Sequence, residues 1–136
     1  MSSRFYTLKG YTILEGNTIT SSMEDYLEMI YRIHSTGESV RIGVLAEMLN
    51  VKPSSASKMV DNLKNQGLVS SRKYGYITLT DEGALLGEYL VFRHDTVHRL
   101  LCYINQSENE LEQVEKLEHF INAETVRNIN KFLGLR

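Results

Sequence analysis

A mostly α-helical fold interrupted by one β-hairpin is what this sequence predicts, and three observations predict it. Apolar residues recur at helical spacing along most of the chain after residue 20. Capping and stop residues bracket those stripes, with serine, proline or threonine at the starts and glycine or asparagine at the ends. One pair of β-rich runs, Leu68-Val69 and Tyr76-Ile77-Thr78-Leu79, flanks Arg72-Lys73-Tyr74-Gly75 and breaks the helical pattern once. Helix, short helix, turn, helix, hairpin, long helix is the order of a winged helix-turn-helix unit joined by a long helix to a second, α-helical domain.

Residues 1–20 form an N-terminal extension in which Phe5-Tyr6-Thr7-Leu8 and Tyr11-Thr12-Ile13-Leu14 flank Lys9-Gly10. This reads as a hairpin or arm, marginal unless it packs on the body. Ser21 or Ser22 caps the first long helix, with Met23, Tyr26, Leu27, Ile30, Tyr31 and Ile33 as its apolar stripe, and Thr36-Gly37 ends it. Residues 42–49 read as a short helix stopped at Asn50. Pro53, the only proline, suits the first turn of the next helix, which runs to about Gln66 with Ala56, Met59, Val60 and Leu63 inward and Gly67 as its stop. Thr80 caps a long helix over 81–104, in which Gly83 and Gly87 are mild propensity costs. Ser107 opens a helix to about Ile121, and Asn122 caps a last one carrying Val126, Ile129 and Phe132. The domains expected are 21–80 for the winged unit and 81–136 for the helical remainder.

The chain has 136 residues with 42% hydrophobic content, enough for one core or two small ones sharing a helix. No apolar run approaches the roughly 18 residues that span a membrane, and no secretory signal opens the chain. Cys102 is the single cysteine, which excludes an internal disulfide and fits a reducing cytoplasm. It follows Leu100-Leu101 and reads as a small buried core residue. The net charge of −2 is unevenly placed. Residues 39–75 carry six basic and two acidic side chains, residues 76–136 six and ten, and residues 1–38 three and five. The winged unit alone is basic, as contact with phosphate requires.

In a winged unit the second helix of the helix-turn-helix enters the major groove by its N-terminal end. Here that end is Lys52, Pro53, Ser54, Ser55, Ser57 and Lys58. Serine hydroxyls donate to or accept from bases and phosphates, and lysines neutralise phosphate. Lys64, Arg72 and Lys73 are placed for the DNA backbone. No arginine lies on this helix, so strong bidentate guanine reading is not evident there.

A second constellation lies outside the basic stretch. Glu115, Glu118 and His119 sit three and four apart, on one face if the segment is helical. Asp25 and Glu28 repeat the three-residue spacing near the start of the first helix, and His94 lies on the long helix. Four carboxylates and two imidazoles suit a hard divalent ion such as Mn2+, in one site with ligands to spare or in two sites sharing carboxylates. No thiolate neighbours any of them, which argues against a zinc–thiolate or iron–sulfur centre. His98, four residues after His94, makes a rival pair. Taken singly, each of these groups is more often an ordinary residue of a solvated helix face than a metal ligand.

The segments Met23–Tyr31, Lys52-Pro53-Ser54-Ser55, Lys58-Met59-Val60, Leu79-Thr80, Leu90–His94 and Val114–His119 together resemble the diphtheria-toxin-repressor superfamily, most of all its manganese-transport-regulator branch. The resemblance covers about residues 21–133. It implies a cytoplasmic, homodimeric, metal-activated repressor that binds double-stranded operator DNA and controls metal-ion uptake genes. It also implies Asp25, Glu28, His94, Glu115, Glu118 and His119 as ligands, two Mn2+ ions per subunit, no organic cofactor and no membrane partner; His98 matches no ligand. The iron branch has a methionine and a cysteine where this chain has Asp25 and Glu115, and it commonly carries an SH3-like domain for which these residues leave no room. Hard oxygen at those two positions favours manganese, with Fe2+ as the alternative. The chain departs from the manganese pattern in the unmatched residues before Ser21 and in stopping at Arg136, where a further helix is usual. The rivals are an iron-responsive regulator of the same fold, a metal-independent winged-helix regulator, and a dinuclear metallohydrolase. The last lacks a substrate-binding Gly-rich loop and any acid or base beyond the six ligands.

Overall fold

The first helix is set by a threonine and a clean apolar stripe. In the computed structural model, which describes residues 19–72 and 75–134, helix α1 spans Ser21–Ser35. Its cap is Thr20, whose hydroxyl accepts the Met23 N–H at 3.1 Å. Ser21 and Ser22, expected as caps, instead lie exposed in the first turn, because the helix begins two residues before its apolar stripe. Met23, Tyr26, Leu27, Ile30 and Ile33 form the buried stripe. The hairpin expected around Lys9-Gly10 lies outside the described residues, as do Lys73 and Tyr74 of the wing.

A two-residue strand, β1 (Val40–Arg41), precedes helix α2 (Ile42–Leu49), and the sequence reading did not predict it. Two residues carry no measurable alternation, so only the partner strand reveals them. β1 joins β2 (Val69–Ser71) and β3 (Tyr76–Leu79) in a three-stranded antiparallel sheet of order β1-β3-β2. Val40 pairs with Ile77 and Arg41 with Tyr76, whose ring lies 4.2 Å beneath the Arg41 guanidinium. Asn50 ends α2 with φ 56°, a left-handed conformation that asparagine tolerates. Helix α3 (Pro53–Asn65) then starts on its proline and turns at Gly67, whose φ of +74° favours glycine. Ala56, Val60 and Leu63 point inward, while Met59 is half-buried.

Helix α4 (Asp81–Asn105) is capped by Thr80, which accepts the Gly83 N–H at 3.0 Å and donates to the Gly67 carbonyl at 2.7 Å. At 25 residues it runs about 37 Å and links both halves of the molecule. Its two glycines are more than propensity costs. A Cβ on Gly83 would lie 1.8 Å from the Leu68 carbonyl oxygen, and one on Gly87 would lie 2.8 Å from the Tyr31 Cβ. Glycine here lets α4 press on the wing and on α1.

The helix expected over 107–121 is shorter and broken. Helix α5 covers only Leu111–Leu117, and Glu118–Phe120 tighten into a 3-10 turn. Ser107 belongs instead to the end of α4, where its N–H bonds the Cys102 carbonyl and its hydroxyl donates to Glu110. Cys102 itself is half-buried rather than buried in the core. Helix α6 (Ala123–Gly134) follows, with Asn122 accepting the Thr125 N–H at 2.9 Å and Val126 buried against the rest.

Candidate metal centre

α1, α4 and the 3-10 turn converge, and the side chains they bring together are the ones spaced for it in the sequence. Asp25 and Glu28 stand one turn apart on α1, Asp25 toward the 3-10 turn and Glu28 toward α4. His94 is presented by α4 on the same side. Ending α5 at Leu117 rotates Glu118 and His119 into the junction, so these two reach it from a tight turn and not from a regular helical face. Two groups of ligand atoms result, each within 4.8 Å: Asp25, Glu118 and His119 in one, Glu28, His94 and Glu118 in the other. Glu118 belongs to both and is 2% exposed.

Glu118 Oε2 lies 2.7 Å from His94 Nδ1, and Glu28 Oε2 lies 4.0 Å from the same nitrogen. His119 Nε2 faces Asp25 Oδ1 at 3.4 Å. Glu115 is exposed; it lines the same cavity of about 270 Å3 but belongs to neither close group. Met29 and Leu49 also line that cavity, so it borders α2, the first helix of the helix-turn-helix. Arg32 bonds Glu28 at 2.9 Å and reaches Asp95 at 3.5 Å. His98 stacks 6.5 Å from His94, but its Nε2 accepts the Glu110 N–H at 3.1 Å, which commits it elsewhere.

The electrostatics are those of carboxylates short of positive charge. Burial pushes the Asp25 carboxyl above its ordinary value; His119 opposes this, and Glu118, Glu115 and Glu24 add to it. Burial likewise raises Glu28, with His94 and Arg32 opposing and Glu118 reinforcing. The hydrogen bond to Glu118 raises His94 against the opposing effect of its burial, and Glu28 helps. This donor set of clustered oxygens with two imidazoles, one carboxylate shared and buried, fits a hard divalent cation.

A pH dependence follows. All three groups bind protons more tightly folded than unfolded, so each contributes stability that is lost as pH rises. For His94 the contribution is complete below its ordinary 6.5 and disappears as pH climbs through the raised folded value. In chelator, the urea midpoint of the protein is therefore expected to fall on passing from pH 6 to pH 8, and His94→Gln to flatten that fall. A midpoint that rises over this range would contradict the assignment.

The face expected to meet DNA is open. Lys52, Pro53, Ser54, Ser55, Ser57 and Lys58 are all exposed at the start of α3, and Arg72 is exposed at the wing. The Lys64 ammonium lies 3.8 Å from Asp61. Two charged residues at the junction escaped the sequence reading as functional: Glu24 and Arg93, both buried. Arg93 falls on the inward stripe of α4 with Leu86, Tyr89, Leu90 and Val97, and a charge in that stripe was the available signal.

A winged helix-turn-helix packed through a long helix on a carboxylate–imidazole junction defines a DNA-binding regulator of the metal-dependent kind. Residues 18–77 match the family described as iron dependent repressor, N-terminal DNA binding domain. The HTH-type transcriptional regulator MntR of Oceanobacillus iheyensis is 38% identical over 116 residues, which are 85% of this chain and 79% of that protein. Among solved structures, the manganese regulator SloR is 28% identical with a TM-score of 0.74, and the metal-dependent transcriptional regulator MtsR 26% identical with a TM-score of 0.75. Each match covers 84% of this chain and 54% of the solved one, so the chain spans about half the length of those two regulators. The chain belongs to the MntR family of HTH-type transcriptional regulators. The relatives it matches are transcriptional or metal-dependent regulators by name, and none of these is a hydrolase. No helix among the described residues is long and apolar enough to cross a membrane.

Proposed function

We propose that this protein is a cytoplasmic, manganese-responsive repressor that binds operator DNA as a metal-activated homodimer and controls metal-ion uptake genes. The observation that carries the metal assignment is Glu118, buried and shared between two ligand groups. On this reading Asp25, Glu118 and His119 hold one ion, and Glu28, His94 and Glu118 a second, with Glu115 closing the cavity mouth. Hard oxygens dominate the set, which favours Mn2+. Met29 lines the cavity, and its thioether is the feature that favours Fe2+ as the second reading.

A bound divalent cation supplies the positive charge that lets these carboxylates share one place. Asp25 and Glu28 then hold α1 against α4 and the 3-10 turn, and through α1 they set the angle of α2 and α3. Lys52 and Lys58 neutralise phosphate and Ser54, Ser55 and Ser57 meet the groove, with Lys64, Arg72 and Lys73 along the DNA backbone. The dimer surface falls to the helical half, where Tyr103, Ile104, Leu111, Phe120 and Phe132 are exposed apolar side chains.

A DNA-shift titration with Mn2+, Fe2+ and Zn2+ at matched free-metal concentration tests this. Mn2+ is expected to drive operator binding most strongly at concentrations where the cell would present it. Stronger activation by Fe2+ would move the protein to the iron reading, and equal binding in chelator would leave a metal-independent regulator. Affinity order alone does not decide, because zinc normally outbinds manganese at such ligands.

A further inference from the structure

Behind the ligand groups lies a buried charge pair that the proposed function does not use. Arg93 is 2% exposed and Glu24 6%. Arg93 Nη2 lies 2.9 Å from Glu24 Oε1 and 3.3 Å from His119 Nδ1, and Glu24 Oε1 lies 2.5 Å from that same Nδ1. The two contacts at Nδ1 demand opposite things. A carboxylate needs a proton on Nδ1, whereas a guanidinium N–H needs a lone pair there. The carboxylate contact is much the shorter, and Arg93 already has Glu24 as its acceptor. The proton therefore belongs on Nδ1, and the Nε2 lone pair is left facing Asp25 at 3.4 Å.

We propose that Glu24, held by Arg93, is a positioning residue that keeps His119 in its Nδ1–H tautomer with Nε2 turned toward Asp25. This rests on the reading of Asp25 and His119 as metal ligands. A histidine ligand needs one nitrogen free of protons and a ring that does not rotate; a carboxylate on the other nitrogen supplies both and makes the ligand more basic. A glutamate buried this deeply is costly unless its charge is matched, and Arg93 matches it. The pair also bridges α1 and α4 without metal, so the start of α1 is anchored before any ion arrives.

The test uses the full chain. Long-range proton–nitrogen NMR reads the His119 tautomer in chelator, and calorimetry reads Mn2+ affinity. Glu24→Gln keeps an acceptor on His119. Glu24→Leu combined with Arg93→Met removes acceptor and cation together, so no buried charge is stranded. The wild type and Glu24→Gln are expected to show Nδ1–H. The double variant is expected to show mixed tautomers and about 10- to 100-fold weaker Mn2+ binding, and Glu24→Gln a loss of only about threefold. An Nε2–H tautomer in the wild type overturns the proposal whether or not the double variant folds. So does a double variant that retains wild-type affinity while His119→Ala loses it. Undiminished affinity in His119→Ala would sink the ligand assignment itself, and the positioning role with it.

Discussion

Glu118→Gln is expected to abolish metal-stimulated DNA binding while the protein stays folded. The substitution keeps the size of the side chain and removes the charge that both ligand groups share. Losing an outer-shell partner costs such sites about 10- to 100-fold, so loss of a shared ligand should cost at least about 100-fold, or some 2.8 kcal/mol of binding. Glu115→Gln is the control. Glu115 lines the cavity from an exposed position outside both close groups, so its loss should cost about tenfold or less. Calorimetric Mn2+ titration of both variants, with a DNA-shift assay beside it, measures the difference. Equal effects would mean that Glu118 is not shared, and no effect in either would sink the site.

Gly83→Ala should be the most damaging small substitution in the winged half. Helix propensity alone predicts a gain of about 1 kcal/mol from alanine at a helical glycine. The added Cβ would instead lie 1.8 Å from the Leu68 carbonyl oxygen and 2.8 Å from its carbon. That oxygen also accepts the Thr80 N–H at 3.1 Å, so the backbone it belongs to is tied at the cap of α4. Relief requires the wing and α4 to part, at a cost of about 3 kcal/mol or more, or roughly 10 °C in melting temperature for a domain of this size. Gly87→Ala should cost less, because its nearest contact is 2.8 Å, to the Tyr31 Cβ, against 1.8 Å to a backbone oxygen at Gly83. Thermal melting of the two variants decides between propensity and packing. A Gly83→Ala protein more stable than wild type would show that the close approach is not needed.

The difference between those two accounts of Gly83 marks where local reading stops. Propensity is a property of one residue in one helix, and Leu68 is fifteen residues away with both β2 and β3 between. The same holds for β1, whose two residues become a strand only because β3 passes beside them. The end of α5 is a further case. Spacing placed Glu115, Glu118 and His119 on one helical face, but the helix tightens at Leu117. That separates Glu118 and His119, turned into the junction, from Glu115, left exposed at the cavity mouth.

The sequence by itself determined the order of the main helices and the wing hairpin, the start at Pro53 and the punctuation at Thr80, Asn50 and Gly67, the inward stripes and the basic character of the winged unit. These are written in residues no more than a few positions apart, where helical geometry and turn chemistry act directly. It also supplied the types and spacing of the clustered carboxylates and imidazoles. Only the tertiary structure decided which of them meet: that Glu118 faces both His94 and Asp25, that His98 is turned to Glu110, and that Glu24 and Arg93 pair across 69 positions beneath His119. The inward stripe of α4 marks Arg93 as a buried charge, but not which acid it meets, because the partner of opposite charge is brought by another helix and is chosen by packing.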